Sequence, residues 1–73
     1  MNRSDAEKVN KLVSEMFDRT NQILLVVNNS YDVELRKNAR LAIGKVIAEL
    51  DLEILEPIYK QFPDLRPPEL EAP

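Results

Sequence analysis

Apolar residues in the first third of the chain recur at steps alternating near three and four. Val9, Leu12, Val13, Met16, Thr20, Ile23, Leu24 and Val27 fall on one stripe when placed at the helical period of about 100° per residue. Phe17 lies at the margin of that stripe, and Leu25 and Val26 fall outside it. Ser4 with Glu7 three residues on is a capping-box pattern, in which each side chain satisfies an otherwise orphaned donor at a helix start. These signals predict a first helix over about 5–28.

The stretch from Asp32 to Tyr59 is apolar on two opposite sides. Leu35, Ala39, Ala42, Ile43, Val46, Ile47, Leu50 and Ile54 form an inner stripe, and Leu41, Gly44, Ala48, Leu52, Leu55 and Tyr59 an outer one about half a turn away. Charges occupy the edges between them, Arg40 and Asp51 on one, Lys45, Glu49, Glu53 and Glu56 on the other. A surface helix needs one apolar stripe, so two opposite stripes predict a helix held between two neighbours. The second helix is expected over about 32–56, because Pro57 removes a helical donor and disfavours helical geometry at Glu56.

Between the helices, Asn28-Asn29-Ser30-Tyr31-Asp32 has the composition of a turn. Asn tolerates left-handed backbone angles at a helix end, and Ser or Asp can cap the helix that follows. So short a connection makes the helices antiparallel neighbours. Val27 is then level with Leu35, Ile23 with Ala39, Thr20 with Ala42, Met16 with Val46, Val13 with Leu50 and Val9 with Ile54. The expected fold is all-α: an antiparallel helical hairpin of two long helices, dimerising into a four-helix assembly. A domain over 1–62 would hold the hairpin and a short helical or extended segment at 57–62. The proline-rich acidic tail, 63–73, has little to bury and is expected to be extended or disordered rather than packed, with Leu65 its one contact with the bundle.

Size sharpens the expectation of a dimer. A chain of 73 residues sits below the length at which one core is comfortably stable without help. With no Cys and no His, disulfides, thiolate sites and the commonest metal ligand are excluded, and self-association is the aid that remains. A formal charge of −3 disfavours nucleic acid and anionic membrane surfaces as partners. No apolar run approaches membrane-spanning length and the N-terminus is polar, so a cytoplasmic location is expected.

Candidate chemistry adds little. The acidic edge Glu49, Glu53 and Glu56 is neutralised by Lys45 and Lys60, so no metal or other cofactor is expected there. Ser4, Ser14, Ser30, Thr20, Tyr31 and Tyr59 have neither a His nor a Ser-x-x-Lys pattern to activate them. The basic cluster Arg36, Lys37 and Arg40 lacks interleaved aromatics. Gly44 is the one chemical oddity, since a mid-helix glycine costs about 1 kcal/mol relative to alanine. It stands four residues before Ala48, and such small pairs let helix backbones approach closely.

The residues therefore predict a non-enzymatic protein-interaction module. Leu41, Gly44, Ala48, Leu52 and Leu55 are the expected dimer interface, the two copies of the second helix running antiparallel with Gly44 opposite Ala48. Tyr59, Phe62 and Leu65 are the expected surface for a further protein partner. Two other readings compete: a small acidic inhibitor of a basic partner, acting through Glu49, Asp51, Glu53 and Glu56, and a nucleic-acid-associated regulator using Arg36, Lys37 and Arg40.

Overall fold

The computed structural model describes residues 1–67 and is helical almost throughout. Helix α1 (Arg3–Asn28) turns back into α2 (Val33–Leu50), and α2 continues through a π-helical turn (Asp51–Leu55) into α3 (Glu56–Gln61). One 3₁₀ turn (Pro63–Leu65) follows. The described residues contain no strand, and α1 and α2 form the expected hairpin. The part of the expected tail from residue 68 onward lies outside the described residues.

The two caps show how local chemistry sets the boundaries. Asp32 accepts the Leu35 N–H at 3.0 Å and starts α2 as its residue type predicts. For α1 the cap is Asn2, not Ser4. Its Oδ1 accepts the Asp5 N–H at 2.8 Å, its Nδ2 donates to the Asp5 carboxylate at 3.2 Å, and Ser4 lies inside the helix. Glu7 pairs with Arg3 at 3.0 Å instead of closing a capping box. The turn needs no left-handed residue, since no described residue has a positive φ. Asn29 closes α1 by donating its side-chain amide to the Leu25 carbonyl at 3.1 Å, and the Ser30 hydroxyl accepts the Asp32 N–H at 3.1 Å.

The seam of the hairpin is narrower than the stripes that predict it. Along α1 the buried and half-buried positions include Ala6, Val13, Phe17, Thr20, Leu24 and Val27, with steps of four and three in strict alternation from Val13 onward. Along α2 they are Arg36, Ala39, Ile43, Ile47 and Leu50. Met16, Ile23, Leu35 and Val46, which the broad stripes assign to the seam, stay 45–51% exposed. Each helix has rotated so that its strict seam meets the other, with Phe17 and Ile47 sharing one wall of a depression. Thr20 is tolerated in the seam because its hydroxyl donates to the Phe17 carbonyl at 2.7 Å within its own helix.

Pro57 is accommodated without breaking the helix. It has no N–H to give the Glu53 carbonyl, and its ring would clash with that carbonyl in an unbroken α-helix. The chain widens by one residue instead, and the Glu56 N–H bonds five residues back to the Asp51 carbonyl. The extra residue moves every later position on by one. Leu55 takes the seam place that a constant period gives Ile54, and Ile58, Tyr59 and Phe62 follow it onto the same face. Leu55 is 4% exposed and Ile54 36%. Because the π turn absorbs one residue, deletion of Glu53 would restore a constant helical period with Leu55, Ile58 and Tyr59 still facing α1, but would set the proline ring against the carbonyl of Leu52, four residues before it in the shortened chain. The deletion is therefore expected to lower the thermal midpoint, and Pro57→Ala in the shortened chain to recover it; a shortened chain that melts like the parent by far-UV dichroism would mean that the wide turn does not relieve the proline.

The core lies at the open end of the hairpin, where Ala6 and Val13 of α1 meet Leu55, Ile58 and Tyr59. Val9, Phe17, Leu50, Phe62 and Leu65 pack around them. This cluster closes because the segment after the π turn folds back onto the start of α1.

Candidate interaction surface

The C-terminal segment is fixed to α1 by a chain of polar contacts. The Tyr59 hydroxyl donates to Asn10 Oδ1 at 2.7 Å, and the Arg66 guanidinium lies over the Tyr59 ring at 4.9 Å. Arg66 also donates to both Glu56 oxygens, at 3.2 and 3.3 Å. Farther along, Arg3 forms a two-pronged pair with Asp64, its Nη1 donating at 3.2 Å, and stands 5.7 Å from the centre of the Phe62 ring. Gln61 donates to the Met1 carbonyl at 3.0 Å. Burial pushes the Tyr59 hydroxyl above its ordinary pKa, with Arg66 opposing and Asp51 and Glu56 reinforcing the shift.

The Arg3 hydrogen bond holds the Asp64 carboxyl below its usual range, and the same pair raises the Arg3 guanidinium. A carboxylate with a depressed folded pKa stabilises the fold above its unfolded pKa, and that contribution is lost as pH falls through the folded value. Both side chains are half exposed or more, so solvent screens the pair. Asp64→Asn is therefore expected to lower the thermal midpoint slightly at pH 7. The gap from the parent should close below about pH 4, the range where a free carboxylate titrates. A gap that stayed constant with pH would show that the pair contributes nothing through its charge.

These contacts take up the surface expected for a further partner. Tyr59 is 4% exposed, and Phe62 and Leu65 are half-buried against the core. They face inward because the π turn shifts them one place, onto the seam face. Of the expected dimer stripe, Leu41 and Leu52 are 58% and 62% exposed, with Gly44 and Ala48 open between them. A methyl group added at Gly44 would meet nothing within 4 Å, so the close-approach face is bare in the single chain. Leu55 does not share that face, since it lies in the core. The acidic edge is divided: Glu56 is engaged by Arg66 and Asp51 is half-buried, while Glu49 and Glu53 remain exposed. Of the basic cluster, Arg36 is half-buried in the seam and Arg40 donates to Asn28 Oδ1 at 3.2 Å.

The surface that sequence reasoning missed is made of residues it assigned to the seam, with Val26 beside them. Leu12, Met16, Ile23 and Val26 on α1 and Leu35, Ala42, Val46 and Ile54 on α2 are all exposed. On each helix they lie about 100° to the N-terminal side of the seam or a little less, and in an antiparallel pair those two flanks fall on one side of the hairpin. Val9 and Ile54 accordingly line one depression, and Ile23, Val26 and Val27 another. The opposite side is polar on α1, with Asn10, Ser14, Asn21 and Asn28. The legible signal was width: an eight-residue stripe covers more arc than one partner helix can bury.

Among the described residues no three acidic side chains are gathered to hold a metal ion, and no buried side-chain polar atom lacks a partner. No described helix is long and apolar enough to cross a membrane. Comparison with protein-family models, with curated proteins and with solved structures finds no match. Fold and surface together define a helical hairpin closed at one end by its own C-terminal segment and apolar along one flank.

Proposed function

We propose that this chain is a non-enzymatic interaction module, a helical hairpin that pairs with a second copy into a four-helix assembly and in that form binds another protein. The observation that carries the reading is the imbalance of apolar surface. Thirteen large apolar residues among those described are at least about one-third exposed, whereas five residues are buried in the core. Seven of the thirteen, Leu12, Met16, Ile23, Val26, Leu35, Val46 and Ile54, share one flank; an apolar patch of that kind marks an interaction site on a folded chain, and small domains gain the burial they lack by association. The non-enzymatic reading is supported by the engagement of Tyr59 and Glu56 in the fold, the hydroxyl bound to Asn10 and the carboxylate paired with Arg66. The test is the mass in solution. Light scattering coupled to gel filtration at micromolar concentration is expected to give twice the chain mass of 8.4 kDa. A single-chain mass across the working range would overturn the reading.

A further inference from the structure

We propose, building on the dimer reading above, that the second copy docks on the apolar flank spanning both helices, with the two turns at opposite ends of the assembly. The outer stripe of α2 alone would then stay exposed.

Three observations select this face and this orientation. The first is area. Leu12, Met16, Ile23, Leu35, Val46 and Ile54 are 36–58% exposed and, with Val26 beside them, offer on the order of 700 Å² per copy, close to the roughly 800 Å² per partner of a standard interface. The outer stripe of α2 offers two large side chains, Leu41 and Leu52, around Gly44 and Ala48. The second is asymmetry. The described part of the C-terminal segment, up to Pro67, bonds to Asn10 and Arg3 on the polar side, so among the described residues the apolar flank beyond the end of the bundle is uncovered.

The third is charge. Phe17 and Ile47 line one depression and Val9 and Ile54 another; carried along both helices, that register sets Arg19 on the rim of α1 level with Lys45 on the rim of α2, and Glu15 with Glu49. If the turns of both copies lay at the same end, α1 would meet α2 of the other copy. Arg19 would then stand beside Lys45 and Glu15 beside Glu49, like charges on both rims. With the turns at opposite ends each helix meets its own copy antiparallel. The register that brings Leu12 to Ile23 of the second copy then brings Arg19 to Glu15 on one rim and Lys45 to Glu49 on the other. Opposite charges meet on both rims, and they suppress the competing orientation. These four charges are available for it: the ion pairs among the described residues involve Arg3, Glu7, Glu56, Asp64 and Arg66, and Arg19 donates to Gln22 at 3.1 Å.

The experiment compares two double variants of the full chain by light scattering, with helicity and melting as controls for folding. Met16→Lys with Ile23→Lys is expected to weaken dimerisation at least tenfold, and Leu41→Lys with Leu52→Lys to leave it within about threefold of the parent. The reverse pattern would overturn the flank while leaving the dimer reading standing, whereas a monomeric parent would overturn both. Orientation is read from Val46→Cys, which is a unique thiol because the chain has no Cys. Turns at opposite ends put Val46 near its own copy across the α2–α2 contact, so mild oxidation should yield a disulfide-linked dimer. Failure to cross-link in a variant that is still dimeric would overturn the orientation.

Discussion

Tyr59→Ala is expected to remove most of the stability of this chain, lowering it by about 3–5 kcal/mol, the range for losing a buried large aromatic side chain. A domain of this size has on the order of 4–11 kcal/mol in all. Tyr59 joins α3 to α1 in two ways, its ring buried against the core and its hydroxyl donating to Asn10, and its face also receives Arg66. Removing it leaves a cavity at the closed end of the hairpin and frees the segment that closes it. Urea unfolding followed at 222 nm should show a much lower midpoint or no folded baseline. Tyr59→Phe separates the hydroxyl from the ring and should cost only about 1 kcal/mol, the net worth of one such hydrogen bond. The same pair gives a pH signature. A hydroxyl whose folded pKa is raised stabilises the fold fully below the unfolded pKa, near 10, and that contribution is lost as pH rises through the folded value. The parent should therefore lose more stability than Tyr59→Phe above about pH 10. Equal losses would show that Tyr59 ionises as freely when folded as when unfolded.

Leu55→Ala is expected to cost about 2–5 kcal/mol, as for other buried Leu truncations, and the loss should not depend on protein concentration. Leu55 is 4% exposed and is part of the core of its own chain. A residue at a contact between copies would instead show a loss, measured against the parent at the same concentration, that grows with the fraction of protein that is dimeric. Leu52, three residues away and 62% exposed, is the control. Leu52→Ala should change the stability of the single chain by less than about 0.5 kcal/mol, the usual range for surface substitutions. Thermal melts of both variants over a hundredfold range of concentration decide the matter. A concentration-dependent loss for Leu55→Ala would place that side chain between copies after all.

Much of the hairpin was legible in the sequence because it rests on local chemistry. The three-and-four spacing from Val13 to Val27, the Asp32 cap and the short polar turn act within a few residues of themselves. They specify two long antiparallel helices whatever packs against them. Pro57 likewise announced an event at its own position and the short helix that follows it. The N-terminal cap was misread by two residues because Asn2 and Ser4 are both good caps, and the choice between them rests on where α1 begins to pack.

What the tertiary structure decided is which half of each broad apolar stripe faces inward. Periodicity places Met16 and Phe17, or Val46 and Ile47, within about 100° of one another and ranks neither first. That choice falls to the packing of two whole helices, which sets Phe17 beside Ile47 and leaves Met16 and Val46 outside. The second decision was the place of Leu55. A constant period carried past residue 50 puts Ile54 on the seam, and a single π turn exchanges the two. That turn relieves the clash between Pro57 and the carbonyl of Glu53, and it pays because it also brings Leu55, Ile58 and Tyr59 onto Ala6 and Val13. The sequence displays the proline that strains the helix. Whether the strain is relieved by ending the helix or by widening it depends on an apolar surface some fifty residues away in the chain.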